Sequence, residues 1–346
     1  MPLRLCERFL RKMRRMLAGR VPQGLFECFL EKDQRALLRD LGKRAVRKAE
    51  IPVSSNPLWV FVLLQYRNAK VSMECVERIR KNCAEQRHEI VIVDNGSSDG
   101  AGHVIRECYD GASGIHVVLR ADNEGFARGN NAGYAFAKKR LGADFIVVIN
   151  NDVRITDEHF LRQAHAEYRR RAYSILCPDM VLVESGFHQN PYRFTIKTEQ
   201  EVLQSIDSIE TRIQEAAVGG FPEEDWRPFG RTWRPELRLE GSIVPHGAAY
   251  VFSPIFVSDF EKPFDERTFL YGEEDILALR AYARGHRILY SPKVGLEHLA
   301  QASRDKSNQH YAEFRYQNAI ASARVYLDVL EEVLGESPRN AWKDRE

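Results

Sequence analysis

The chain has 346 residues, 44% of them hydrophobic and 29% charged, with a net charge of +2. That is enough apolar material for a full core and excludes a disordered chain. The six cysteines form no CxxC pair, and no stretch reads as a signal peptide or membrane span, which points to a reducing cytosol rather than a disulfide framework or a zinc site.

Charge is unevenly spread along the chain. Residues 1–50 hold 14 Lys and Arg against 6 Asp and Glu, or +8, and the rest of the chain carries −6. Leu3, Cys6, Leu10, Met13 and Leu17 recur at helical spacing, with Arg4, Arg8, Arg11, Lys12, Arg14 and Arg15 on the remaining surface. This predicts a basic amphipathic helical extension that either lies on an anionic membrane or packs its stripe on protein. No recognition motif accompanies the charge, so nucleic acid is not an expected partner.

After the linker-like "IPVSSNP" at 51–57, the run "LWVFVLLQY" has strand length, and Met73, Val76, Ile79 and Cys83 then repeat at helical spacing. "EIVIVDNGSSDG", "GIHVVLR" and "FIVVIN" are further apolar runs separated by helical stretches. Unbroken apolar strands alternating with helices predict an α/β fold, a mostly parallel sheet with helices on both faces. From 181 to 242 the pattern changes. Val202, Ile206, Ile209 and Ile213 mark one helix face, followed by the Trp/Pro/Arg-rich "EEDWRPFGRTWRPELR", which reads as an insertion. Strands return with "AAYVFS" and "RILYSP", and residues 301–346 form a helical segment.

Ligands of open parallel sheets bind at the carboxyl ends of strands. Three polar tips qualify: Gln65, Tyr66, Arg67 and Asn68; Asp94 and Asn95; and Asn150, Asn151 and Asp152. Each tip alone also suits a turn or a helix cap. No GxGxxG follows the first strand, which argues against a dinucleotide site. In "NEGFARGNNAG", Gly125, Gly129 and Gly133 recur every four residues and leave a smooth helix face for a flat ligand or for tight packing. Glu273, Glu274 and Asp275 are adjacent carboxylates at a predicted helix start, where they could cap the helix or supply a general base. Downstream, His298 together with an aspartate could hold a divalent cation.

These stretches, "VDNGSSDG", "NEGFARGNNAGYAFA", "VINNDV", "FDERTFLYGEEDILALRAYARGHRILYSP" and "EHL", resemble in order the motifs of family 2 glycosyltransferases of the GT-A fold, and of bacterial rhamnosyltransferase-like members in particular. The resemblance spans roughly 58–300. It implies a Rossmann-like GT-A domain over 51–300, with 181–242 on the acceptor side and helical N- and C-terminal extensions. It also implies an inverting transfer from dTDP-rhamnose or a UDP-sugar to a hydroxyl of a glycan or lipid-linked glycan, in cell-surface polysaccharide synthesis at the inner face of the plasma membrane.

The implied nucleotide contacts are Gln65, Tyr66, Asn68, Asp94, Asn95, Gly125, Arg128, Asn130 and Asn151. Asp152 falls at the last position of the family's DXD motif and implies Mn2+ or Mg2+, with His298 as its helper because the first position is Asn150. The implied base is Glu274, with Glu273 second and Asp275 beside them. Where relatives often carry a threonine or serine before the aromatic, this chain has "QYRN". Two other readings are a catalytically silent nucleotide-sugar-binding or scaffolding member and a nucleotidyltransferase.

Overall fold

The computed structural model describes residues 30–221, 231, 235–236, 238–300 and 309–335. The stripe from Leu3 to Leu17 and most of the stretch 223–238 lie outside the described residues. Among the described residues no helix is long and apolar enough to cross a membrane.

The first described helix, α1 (Lys32–Arg44), precedes strand β1 (Trp59–Gln65), helix α2 (Ala69–Asn82), β2 (His88–Asp94), α3 (Ala101–Cys108) and β3 (Ile115–Leu119). Next come α4 (Gly125–Phe136), which ends in a π-helical turn, β4 (Phe145–Asn150), β5 (Val153–Arg154) and α5 (Phe160–Arg171). β6 (Ile175–Leu182), β7 (Phe187–His188), α6 (Glu199–Gly219), β8 (Leu239–Gly241), β9 (Ala249–Phe252) and α7 (Pro254–Asp259) follow. The chain closes with α8 (Glu273–Ala283), β10 (Ile288–His298) and α9 (Gln309–Leu334).

The sheet order is β3-β2-β1-β4-β9-β6-β10-β5. Its first four strands run parallel, and β6 pairs parallel with β10, but β9 stands antiparallel between β4 and β6. Alternate residues of the buried strands enter two cores. Val60, Val62, Val91 and Val93 face Tyr134, Phe252 and Phe256, while Trp59, Phe61, Leu63 and Ile92 face Val76, Ile79 and Phe160. Coverage on both faces is why these strands read as continuous apolar runs.

The smooth face of α4 is used for packing. A Cβ on Gly129 would stand 2.4 Å from Leu64, and one on Gly133 would stand 2.4 Å from Val62 and 2.9 Å from Val93. At Gly129 and Gly133 the glycines let α4 sit on β1 and β2 at close range, so there the face is turned to the sheet. Gly133→Ala is therefore expected to destabilise the fold by about 1–3 kcal/mol through overpacking, less the roughly 1 kcal/mol that alanine gains in helix propensity. Denaturant unfolding measures it, and an unchanged midpoint would contradict the packing.

Residues 31–50 belong to the body of the protein. Leu41 is fully buried, Gln34 Nε2 donates to Glu201 at 2.7 Å, and Lys48 pairs with Asp259 at 3.1 Å. α9 packs against α6 and α8, with the Tyr326 hydroxyl donating to the Lys197 carbonyl at 2.7 Å.

Candidate active site

Strand register brings the polar tips together. Gln65 lies opposite Asp94, Leu64 lies opposite Asn150, and the Asn150 amide donates to the Ala248 carbonyl at 2.9 Å just before β9. At its far end, β10 places His298 opposite Val153, and the Leu299 amide donates to the Asp152 carbonyl at 2.9 Å. One edge of the sheet thus collects residues separated by more than two hundred positions.

Gln65 organises the first tip. It is fully buried; its Nε2 donates to Asp94 Oδ1 at 3.2 Å and its Oε1 accepts from Ser72 Oγ at 3.2 Å and the Asn68 amide at 3.3 Å. Asn151 joins the same network by donating to Ser72 Oγ at 2.9 Å. Asn68 also caps α2, accepting from the Val71 amide at 3.4 Å. Asp94 accepts from the Ser97 amide at 3.0 Å, and a Cβ on Gly102 would stand 2.5 Å from its carboxylate. That close approach of the α3 first turn requires glycine.

Asn95 ties the second tip to α4. Its Nδ2 donates to Asn123 Oδ1 at 2.8 Å and to the Gly125 carbonyl at 3.1 Å. Gly125 has φ +83°, and a Cβ there would meet the Phe269 carbonyl oxygen at 2.4 Å, so this glycine joins the α4 start to the loop before α8. Tyr66 is exposed at the rim with the Arg67 guanidinium 4.9 Å from its ring centre. Arg128 and Asn130 are held apart from the Gln65 network: Arg128 donates to the Glu266 carbonyl at 3.4 Å, and Asn130 Nδ2 to the Phe126 carbonyl at 3.0 Å. The Asn130 Oδ1 is buried without a hydrogen-bond partner among the described residues.

The three carboxylates at the α8 start have different environments. The backbone reaches them through Tyr271 at φ +70° and Gly272 at φ +82°. Asp275 is buried and ion-paired with Arg193 at 3.1 Å and Lys197 at 3.0 Å. Burial pushes its pKa up, but the two cations outweigh burial and hold it below the usual carboxylate range. Glu273 is buried with one oxygen lacking a hydrogen-bond partner among the described residues, and burial followed by the charge of Glu274 raises it to about 8. Glu273 and Asp275 are buried, whereas Glu274 is half-buried. Burial, then the charge of Asp275, raises it to about 7. A carboxylate poised there matches the requirement for a general base near neutral pH.

Asp152 and His298 form the opposite pole. His298 Nε2 stands 3.5 Å from Asp152 Oδ1, and its Nδ1 bonds the Gln189 Oε1 at 2.7 Å. An amide oxygen only accepts, so Nδ1 carries the hydrogen and the Nε2 lone pair is left toward Asp152. The separation is too long for a good hydrogen bond. Among the described residues no group of three or more His, Cys, Asp or Glu side chains could hold a metal ion. A carboxylate and an oriented imidazole nonetheless fit a divalent cation that takes its other ligands from a substrate's phosphates and water.

His246 and Gly247 lie between the two poles. A Cβ on Gly247 would be 3.7 Å from Glu274 Oε2, and the His246 ring centre is 5.7 Å from that of His298. His246 has its pKa lowered to about 3, by burial first and then by His298. Sequence reading did not single out His246, Gln189, Arg193, Lys197 or Ser72. Each acts through a partner distant in the chain, and none sits in a spacing that local pattern could reveal.

A sheet with a four-stranded parallel half, a polar edge at its strand ends and an acidic helix start beyond it is the GT-A type of α/β fold. Residues 63–224 match the model of glycosyl transferase family 2, a stretch that includes Gln65, Asp94, Gly125 and Asp152 but not Glu274 or His298. The chain is similar to glycosyltransferase GlyG of Streptococcus pneumoniae serotype 4, 30% identical over 87 residues, or 25% of this chain and 27% of that protein. The match thus spans about a quarter of that relative's length. Among solved structures, it is similar to the mannosyltransferase PcManGT of Pyrobaculum calidifontis in complex with GDP-Man and Mn2+, with a TM-score of 0.46, 14% identity, and 90% of this chain and 86% of that one covered. TarS of S. aureus in complex with UDP-GlcNAc matches with a TM-score of 0.46, 15% identity, and coverage of 82% and 74%.

Proposed function

We propose that this protein is an inverting glycosyltransferase that moves a sugar from a nucleoside-diphosphate-sugar, dTDP-rhamnose or a UDP-sugar, to a hydroxyl of a glycan or lipid-linked glycan in cell-surface polysaccharide synthesis. The observation that carries this reading is the half-buried Glu274, raised to about 7, set across the His246–Gly247 segment from the Asp152–His298 pair. A base and a cation-binding pole on either side of one segment suit an in-line displacement. The match of residues 63–224 to glycosyl transferase family 2 supports the same class.

In this reading Gln65, Tyr66, Asn68, Asp94, Asn95, Gly125, Arg128, Asn130 and Asn151 line the nucleotide side. Asp152 and His298 would hold Mn2+ or Mg2+, which when bound would supply positive charge to the diphosphate. Glu274 takes the acceptor proton as the acceptor oxygen attacks the anomeric carbon on the face opposite the diphosphate. The new C–O bond forms as the bond to the β-phosphate oxygen breaks, and that electron pair leaves with the nucleoside diphosphate. The configuration at the anomeric carbon inverts, and no covalent enzyme intermediate is needed.

The test is product analysis after incubation with dTDP-rhamnose, UDP-glucose, UDP-GlcNAc and GDP-mannose in the presence of Mn2+. Release of nucleoside diphosphate supports the reading. Pyrophosphate would mark a nucleotidyltransferase, and tight binding with no turnover would mark a silent member.

The basic N-terminal stripe supports contact with an anionic membrane face. Removing residues 1–29, which leaves the packed residues 31–50 in place, is expected to reduce sedimentation with phosphatidylglycerol vesicles, and the full chain's binding should weaken as salt is raised. Equal binding by the shortened protein would assign the stripe to protein packing.

A further inference from the structure

His246 is the side chain whose chemistry neither the family match nor the two poles account for. The Ala248 amide donates to its Nδ1 at 3.2 Å. An amide N–H can only donate, so Nδ1 keeps its lone pair and the neutral ring carries its hydrogen on Nε2. Ring position is fixed from several sides. The His246 amide donates to Asn190 Oδ1 at 2.7 Å, the Tyr192 ring meets the imidazole edge-on at 5.9 Å, and His298 does so at 5.7 Å. The residue is partly exposed, and among the described residues nothing accepts a hydrogen bond from Nε2.

The neighbouring imidazoles therefore hold opposite tautomers. His298 gives its Nδ1 hydrogen to Gln189 and turns a lone pair toward Asp152. His246 receives at Nδ1 and presents a hydrogen at Nε2. One ring is built to meet a cation and the other to meet an anion. The same bond excludes His246 as a metal ligand through Nε2, because a ligating nitrogen needs its lone pair. His246 lies beside His298, which with Asp152 would hold a cation, so a diphosphate drawn to that pole would bring anionic oxygens near this donor, whereas Glu274 lies across Gly247 on the acceptor side.

We propose that His246 donates its Nε2 hydrogen to a non-bridging oxygen of the donor's diphosphate and so holds the leaving group. The proposal rests on the glycosyltransferase reading above. A preorganised neutral donor at this point would strengthen as charge develops on the departing phosphate oxygen.

The experiment is calorimetry of the full chain with UDP, GDP and dTDP, and with UMP, GMP and dTMP, each with Mn2+. Wild type, His246→Ala and His246→Gln are compared, with melting temperatures measured in parallel. His246→Ala is expected to weaken the diphosphate that wild type binds by about tenfold or more, the loss for a hydrogen bond to a charged group, and to leave the matching monophosphate within about twofold. His246→Gln, which keeps an N–H at a similar reach, should recover most of the difference. Equal loss for monophosphate and diphosphate, no loss for either, or failure of glutamine to rescue in a protein of wild-type melting temperature overturns the proposal. Weaker Mn2+ binding without nucleotide would assign His246 to the metal and overturn it too. Wild type that binds none of the six nucleotides overturns the glycosyltransferase reading itself, which separates the two failures.

Discussion

Replacing Glu274 with glutamine is expected to cut sugar transfer by roughly 10²- to 10⁴-fold, because the amide keeps the size and much of the hydrogen bonding but cannot take a proton. Nucleotide binding should survive, since Glu274 lies across Gly247 from the Asp152–His298 pole. Transfer by wild type should rise with pH through an apparent value near 7 that belongs to the coupled carboxylates as a set, and the variant should lose this limb. Stability should move the other way. The folded-state pKa is raised above the unfolded value, so the protonated form favours folding; that contribution is complete below the usual carboxylate range and is lost as pH rises through about 7. Glu274→Gln should therefore melt at or above wild type at pH 8. Asp275→Asn separates this from capping. It leaves Arg193 and Lys197 short of their counter-charge, so it should cost stability, about 1–3 kcal/mol, because the partly exposed Arg193 is screened by solvent. A normal transfer rate in Glu274→Gln, with loss confined to Glu273→Gln, would move the base by one residue.

Legibility of the fold followed the physics of each element. β1, β2 and β4 were visible because burial on both faces makes a strand core apolar without a break, and their tips stood out as polar residues ending such runs. The direction of β9 was not visible, since an apolar run of four residues has no sign; only the tertiary structure sets it antiparallel to β4. β6 was hidden by Pro178 and Asp179 in its middle. Proline removes a ladder donor, and the pairing with β10 is irregular from Ser291 to Gly295 at that point. The spacing of Gly125, Gly129 and Gly133 left ligand approach and tight packing equally open, and only the contacts of Gly129 and Gly133 with Leu64 and Val62 distinguish them.

The site was legible as a set of residue types but not as environments. Three adjacent carboxylates look alike in sequence. What separates them is that Arg193 and Lys197, some eighty residues earlier, reach Asp275 and leave Glu273 and Glu274 without, among the described residues, a cation of their own in hydrogen-bonding contact. The same holds for the histidines. His298 was nameable beside an aspartate, but its tautomer depends on Gln189, and His246 gained its meaning from the amide of Ala248 two residues on.

Asp152→Asn is expected to remove Mn2+-stimulated turnover, with a loss on the order of 10²-fold or more, while the fold persists. The fold should hold because the backbone bond at this position runs from the Leu299 amide to the Asp152 carbonyl, which the substitution keeps. Asparagine offers a neutral oxygen where Asp152 supplies a formal charge, and a divalent ion held by Asp152 and His298 would depend on that charge. Mn2+ titration by electron paramagnetic resonance in the presence of nucleoside diphosphate reads the affinity without turnover. It should fall in Asp152→Asn and in His298→Ala, and by about 10- to 100-fold in Gln189→Ala, which removes the hydrogen-bond partner of His298 Nδ1. Unchanged Mn2+ affinity across all three variants, with activity equally insensitive to the ion, would make Asp152 a structural strand tip and leave the diphosphate to neutral donors such as His246.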